Sequence, residues 1–289
     1  MTAALRALFS YPVLLVQHWD LLWAFVWREL RARYEGSLLG RLWPILNPLI
    51  LIAIYYTVFV QILDIKYEQA GVPDDALIQV LGFNMTQAMG LYLITGIVPW
   101  IMFAESIIRC ASIVIEHANL IKKIAFPSEL LVAYVVLLNA IYFLIALLLF
   151  LVFLVLLSGS IPIRAMLLPV PIVLQCIFTV GLGMFVGALN VFLRDTAQFT
   201  GLVVMLWMFL TPIFYPLVFV ERKMGATAFA IFKLNPMYHL MEMYRGLLIF
   251  KNQPLPWQNA LVFAAFALVA FAVGLLFYRG TKGRFADEV

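Results

Sequence analysis

Charge is what this chain has least of. Lys, Arg, Asp and Glu make up 12% of its 289 residues while 65% are hydrophobic, against about a quarter charged and half apolar in ordinary soluble domains. That balance, with a mean hydropathy of +1.03, excludes a water-soluble fold and defines a polytopic membrane protein. Cysteine is nearly missing too. Cys110 and Cys176 both sit in or beside apolar stretches, which argues against a disulfide framework and makes them buried thiols. Three histidines lie in separate segments, with no metal-ligand spacing among histidines, cysteines and carboxylates. No glycine-rich loop ends in Gly-Lys-Ser or Gly-Lys-Thr, so the chain is not expected to bind ATP by that route. No serine has a convincing base partner, and the basic residues are divided by membrane spans, which excludes a nucleic-acid stripe.

What is present is apolar length. Six runs stand out, at 43–63, 88–109, 129–157, 165–192, 197–218 and 259–278, each near the ~20 residues that a bilayer crossing needs. Little remains for a soluble module, so chemistry requiring one must come from another chain. Six crossings put both termini on one side. With that side taken as cytoplasmic, it holds twelve Lys and Arg, from Arg6 to Arg284, against seven on the other, which favours termini inside. Pro44 and Pro48 fall in the first turns of span one, where a missing amide costs least. Ser128 is predicted to cap span three, and Asp195 or Thr196 span five. Gly183 and Gly187, four apart, form a small-residue face for close helix approach.

Three segments between the runs carry charge in a pattern. Residues 18–35 read as a helix in the interface plane, with Trp23, Trp27, Leu30 and Tyr34 along one side and Asp20, Arg28, Arg31 and Glu35 on another. Its aromatics would sit at headgroup depth, its arginines meeting lipid phosphates or acidic groups of a cytoplasmic partner; an ordinary basic anchor fits the same pattern. Gly36 and Gly40 let the chain turn before Trp43. Residues 113–127 mix Glu116, His117, Lys122 and Lys123 with Ile115, Leu120, Ile121 and Ile124 and end in Phe126-Pro127. A short amphipathic helix protruding into the cytoplasm fits, and so does one lying on lipid. His117 is expected to face solvent or a partner, and Glu105 to pair with Arg109 at i, i+4. In 219–250, after Pro212 and Pro216 break span five, Asn235-Pro236 divides two apolar pieces too short to cross, which predicts re-entrant or interfacial helices.

The stretch "RELRARYEGSLLGRLWPILNPLI", followed in order by "GIVPWIMFAESI", "NLIKKIAFPSE", "NVFLRDTAQF", "TPIFYP" and "LNPMYHLMEMYRGLL", resembles the type 2 ABC exporter permeases, in particular the branch that moves capsular polysaccharide, O-antigen or teichoic acid. The resemblance covers roughly residues 20–280. It implies an all-α integral membrane fold of six transmembrane helices, with an N-terminal amphipathic gate helix and outer gate helices between the fifth and sixth. It implies two copies of the permease with two copies of a separate ATPase that binds ATP and Mg, a location in the bacterial inner membrane, and no cofactor in this chain. Glu116, His117, Lys122, Lys123 and Phe126 would contact that ATPase through a coupling helix. Arg28, Arg31, Arg33 and Tyr34 would meet the ATPase or the phosphates of a lipid-linked glycan.

A glycan presents hydroxyls and apolar faces, so rings along a channel can stack on sugars without gripping one position. On spans one and five the candidates are Tyr55, Tyr56, Phe59, Trp207, Phe209, Phe214 and Tyr215, each of which also fits a packing or lipid-facing role. Two rivals stand beside this: a permease of the same type exporting a lipid or drug, and an integral-membrane enzyme acting on lipid-linked sugar. The second needs an acid or base cluster at membrane depth, and apart from Glu105 the carboxylates fall near the ends of the runs or outside them.

Overall fold

The structure, a computed structural model, describes residues 3–33, 35–55, 57, 58, 62, 85–123, 126–250 and 254–288. Among them every regular element is helical and no strand occurs. In chain order these are α1 (Ala3–Gln17), α2 (Trp19–Ala32), α3 (Trp43–Tyr55), α4 (Met85–Glu116), α5 (Ala118–Lys123), α6 (Glu129–Ser158), α7 (Pro169–Phe192), α8 (Thr196–Leu210), α9 (Leu217–Lys233), α10 (Pro236–Leu248), α11 (Trp257–Thr281) and α12 (Phe285–Glu288). Four helical stretches are long and apolar enough to cross a bilayer: Met89–Glu116, Glu129–Leu156, Ile163–Phe192 and Trp257–Glu288. Of the six predicted crossings, the first and fifth appear as shorter apolar helices, Trp43–Tyr55 and Thr196–Leu210. Residues 63–84, where span one was predicted to end and the first outer loop to follow, lie outside the described residues.

Backbone contact sets the packing of the long helices. A Cβ on Gly274 of α11 would fall inside the Gly181 carbonyl of α7, and a Cβ on Gly181 would collide with the backbone at Ala270 and Phe271. The predicted pair acts on α4 instead: a Cβ on Gly183 would stand 2.9 Å from the Cys110 Sγ, and one on Gly187 2.7 Å from the Cys110 carbonyl. With no hydrophobic drive between helices in lipid, dispersion across such close crossings holds the bundle. α7 is therefore its centre, touching α4, α6, α8 and α11.

Helix ends depart from the sequence reading in several places. Ser128 and Asp195 precede α6 and α8, but neither side chain makes a capping hydrogen bond; the Asn190 Oδ1 instead accepts from the Ala197 amide at 3.1 Å. α4 runs seven residues past the predicted end at 109, so Ile113–Glu116 is its last turn and only Ala118–Lys123 stands as a separate helix in the 113–127 connection. Gly36 and Gly40 both take positive φ, 79° and 43°, a region open to glycine. The turn they allow is closed by the Ser37 Oγ, which accepts from the Gly40 amide at 3.0 Å and the Trp43 Nε1–H at 2.8 Å.

At the far end, α8 stops at Leu210 and the chain turns extended at Thr211. α9 follows, broken at Gly225, and then α10, whose cap is Asn235: its Oδ1 accepts from the Met237 amide at 3.0 Å. α10 spans about 20 Å at 1.5 Å per residue, too short to cross, yet His239–Met241 and Met243–Leu248 are all buried. Protein covers it, and burial in protein is one of the settings in which a short helix can end inside a membrane domain.

Candidate functional site

The connection between α4 and α6 is seated by rings. The Phe25 ring of α2 lies 5.4 Å from Tyr134 of α6, 5.7 Å from Phe126 and 6.2 Å from His117. His117, expected to face solvent or a partner, is half-buried in this cluster, its Nδ1 3.1 Å from the Ile113 carbonyl oxygen. Phe126 is half-buried as well, so it packs inward within the chain. Among the described residues of the connection, Glu116, Asn119 and Lys122 are exposed. The Glu116 carboxylate accepts from the Ser112 hydroxyl at 2.6 Å and lies 3.3 Å from Arg109. Lys123 ends α5, and its side chain lies outside the description.

The expected Glu105–Arg109 pair does not form. Arg109 bridges Glu116 and Glu29 of α2, at 3.3 and 3.4 Å, and Glu105 pairs with Arg33 at 3.5 Å. The reason is that α2 lies across this end of the bundle and offers each of the two a tertiary partner. On α2, Leu22, Phe25 and Val26 are the buried face, while Trp19 and Trp23 stack on each other, exposed, with centroids 6.3 Å apart. Arg28 lies over Phe25 at 4.8 Å and Arg31 over Trp27 at 4.9 Å. Arg33 instead turns into the bundle, 4.9 Å over the Tyr142 ring of α6. Tyr34 lies outside the described residues.

Behind the Arg33–Glu105 pair opens a cavity of about 780 Å³ between α3, α4 and α6. Its walls are Pro48, Leu51, Tyr55, Ile101, Ala146 and others like them, with Asn47 and Asn139 as polar exceptions besides Arg33 and Glu105. Of the ring candidates, Tyr55, Phe214 and Phe209 form a chain, with centroids 6.3 and 6.1 Å apart. Tyr215 joins it by donating its hydroxyl to the Phe209 carbonyl at 2.7 Å. Trp207 is not in this chain. It is half-buried beside Trp100, Phe103 and Phe178, at 5.3 to 6.4 Å, and donates its Nε1–H to the Asn235 Oδ1 at 2.9 Å. Tyr56 and Phe59 lie outside the described residues.

Two buried charges escaped the sequence reading. Glu129, fully buried at the start of α6, accepts from Lys282 at 2.8 Å and from Arg279 at 3.3 Å. Arg279 also donates to the Ser10 hydroxyl at 2.7 Å. Arg245, also fully buried, lies 3.0 Å from the Glu242 carboxylate. A lone acid just after Pro127-Ser128, at the favourable end of a helix dipole, was a usable signal for Glu129. Arg245 had none beyond Glu242 at i, i−3, since its other contacts are remote in sequence. Glu129→Gln is expected to lower stability by about 2 kcal/mol, less than the ~3–5 of a fully buried pair because Lys282 can turn to water. The check is the midpoint of thermal aggregation in detergent.

These parts make a multi-pass helical membrane domain of transporter type, with a charged connection at one end and the short buried helix α10 at the other. A family model described as ABC-2 type transporter matches residues 20–249, and the chain belongs to that family. It is 30% identical to the O-antigen export system permease protein RfbA of Myxococcus xanthus over 295 residues, covering 100% of each chain. It is also 30% identical to the protein of that name from Klebsiella pneumoniae over 270 residues, 93% of this chain and 94% of that one.

Proposed function

We propose that this chain is the membrane-spanning permease subunit of an ABC exporter that moves a lipid-linked cell-surface polysaccharide across the bacterial inner membrane, driven by a separate ATPase subunit that holds ATP and Mg. The observation that carries this is similarity over the full length to permeases named for O-antigen export. α3 and α8 are the first and fifth of six crossings, and α9 and α10 the outer gate. Arg28, Arg31, Arg109, Lys122, Arg194 and Lys282 fall at the end of the α4–α6 connection, which supports a cytoplasmic position for it and for both termini. Two copies pair, and the exposed apolar face of α8 at Phe199, Leu202, Val203 and Leu206 is available to a second copy or to lipid.

In this mechanism ATP-driven closure of the ATPase presses on the α4–α6 connection through Glu116, Asn119 and Lys122, and α3 and α8 shift to open a path. The rings of Tyr55, Phe209, Phe214 and Tyr215 then offer shallow, sequence-tolerant wells to passing sugars. The test is purification in mild detergent followed by reconstitution: the ATPase is expected to co-purify, and ATP to drive polymer into the vesicle lumen. Absence of an ATPase partner would overturn the proposal. Phe214→Ala with Tyr215→Ala is expected to slow export about tenfold, ~1.4 kcal/mol on the barrier, with ATPase assembly unchanged. Unchanged surface polysaccharide would remove those rings from the path.

A lipid cargo has one observation in its favour, the apolar lining of the 780 Å³ cavity. Ile101→Trp and Ala104→Trp reduce that space. With a lipid cargo held there, they block transport of a short-chain lipid probe; with a polysaccharide cargo, export of the polymer persists.

A further inference from the structure

Arg245 is a complete positive charge buried where no charge belongs without a task. It sits on α10, and everything its guanidinium touches belongs to a different part of the far end, Glu242 excepted. Nη1 donates to Glu242 at 3.0 Å. Nη2 donates to the Pro212 carbonyl at 2.8 Å and reaches that of Ile213 at 3.4 Å, within the break that ends α8. The guanidinium lies over the Tyr92 ring of α4 at 3.5 Å. Tyr92 in turn donates its hydroxyl toward the carbonyls of Pro212 and Tyr215, each at 3.3 Å. One turn further along α4, Gly96 makes room: a Cβ there would stand 3.0 Å from Nη2.

Four elements therefore meet at one side chain: α4, the Pro212–Tyr215 break, α10 and, through the break, α8. The two carbonyls are ones the interrupted helix no longer satisfies, which is why a planar donor fork suits the position and the single point charge of a lysine does not. The Nε–H finds no acceptor among the described residues, an unmet donor that marks a position held for its geometry. α4 is the element that connects this point to the other end of the molecule. It runs as one helix from Met85 to Glu116 with Pro99 inside it, so Tyr92 and Glu116 lie at most about 36 Å apart along it, with α5 directly beyond.

We propose that Arg245 pins α10 and the Pro212–Tyr215 break to α4, so that displacement of α4 at the α5 end is passed to the far-end helices. It is a positioning residue for translocation, and in this it rests on the transport function proposed above. Coupling of this kind requires an element whose arrangement both ends bias; α4 with its clamp is that element. A buried charge with a ring on one face and carbonyls at its edge resists separation from them, because Glu242 on its own helix would then be its one remaining partner among the described residues.

The experiment uses the full permease with its ATPase in vesicles, with nitroxide labels on unnatural amino acids at the exposed Ile163 and Met224, which leaves Cys110 and Cys176 in place. Trapping the ATPase with ATP and vanadate is expected to shift the Ile163–Met224 distance in the wild type. In Arg245→Lys that shift is expected to be lost, ATP hydrolysis to stay within about twofold, and polymer exported per ATP to fall at least tenfold. Should Arg245→Lys fail to accumulate, Gly96→Ala, which crowds Nη2 and Ile213 of the break, and Tyr92→Leu, which removes the ring, decide in its place. A wild-type distance shift with wild-type export per ATP in these variants overturns the pin. So does a parallel fall of hydrolysis and export in proportion to folded protein, the signature of a merely structural role. A nucleotide-dependent shift without polymer export in the wild type leaves the pin standing and removes polysaccharide as cargo.

Discussion

Reversing charge and adding bulk on the exposed side of α5, Asn119→Trp with Lys122→Glu, is expected to release the ATPase from the purified permease and to reduce export by about 30- to 1,000-fold. These side chains are exposed and build no part of the chain's own core, so their substitution leaves the fold intact while spoiling a docked surface. A central contact at such a surface is worth about 2–4 kcal/mol, which converts to that range of affinity. Phe126→Ala gives the contrasting result. Its ring packs on Phe25 inside the chain, so the loss is expected first as thermal stability, about 2 kcal/mol, less than the ~3–5 of a fully buried phenylalanine. Co-purification of the ATPase with both variants, at wild-type yield, would remove α5 as the docking element.

Gly274→Leu is expected to abolish accumulation of the folded protein. The new side chain has no direction to go: its first carbon already overlaps the Gly181 carbonyl on α7, and neither backbone yields locally. Overpacking in a core typically costs about 1–3 kcal/mol when side chains can give way, and here only main chain is available, so the helices must part. Gly201→Leu on α8, where an added Cβ meets nothing within 4 Å, is the matched control and is expected to accumulate normally. Fractionated membranes and size-exclusion elution in detergent distinguish the two.

Much of the architecture was legible because membrane proteins write it in long apolar runs and in proline. Residues 129–157 and 259–278 fall within α6 and α11, with ends displaced by at most a few residues. Pro212, Pro216 and Asn235-Pro236 mark the breaks that separate α8, α9 and α10. Failures concentrate where one side chain had to choose among remote partners. Glu105 and Arg109 satisfy the helical pairing rule, but α2, some 70 to 80 positions earlier, supplies Arg33 and Glu29. The half-burial of His117 comes from the Phe25 and Tyr134 rings, which are not its neighbours in sequence. The glycine face at 183 and 187 was visible in its spacing, whereas the tighter Gly181–Gly274 crossing pairs single glycines on separate helices, which no local pattern announces. Of the candidate rings, Tyr55, Phe209, Phe214 and Tyr215 come together because α3 and the Pro212 break meet. Trp207 points the other way, toward α4 and α7.

The clasp of Glu129 by Arg279 and Lys282 spans 150 residues of chain, and this sets an order for biogenesis. When α6 leaves the ribosome its first residue is an acid without a counter-ion, and it stays so through synthesis of every helix up to α11. Such a carboxylate keeps to hydrated depth rather than sinking with the span. The clasp therefore cannot close until translation reaches Lys282. The Ser10 hydroxyl likewise gains Arg279 only once α11 is made, so both contacts join early helices to a late one.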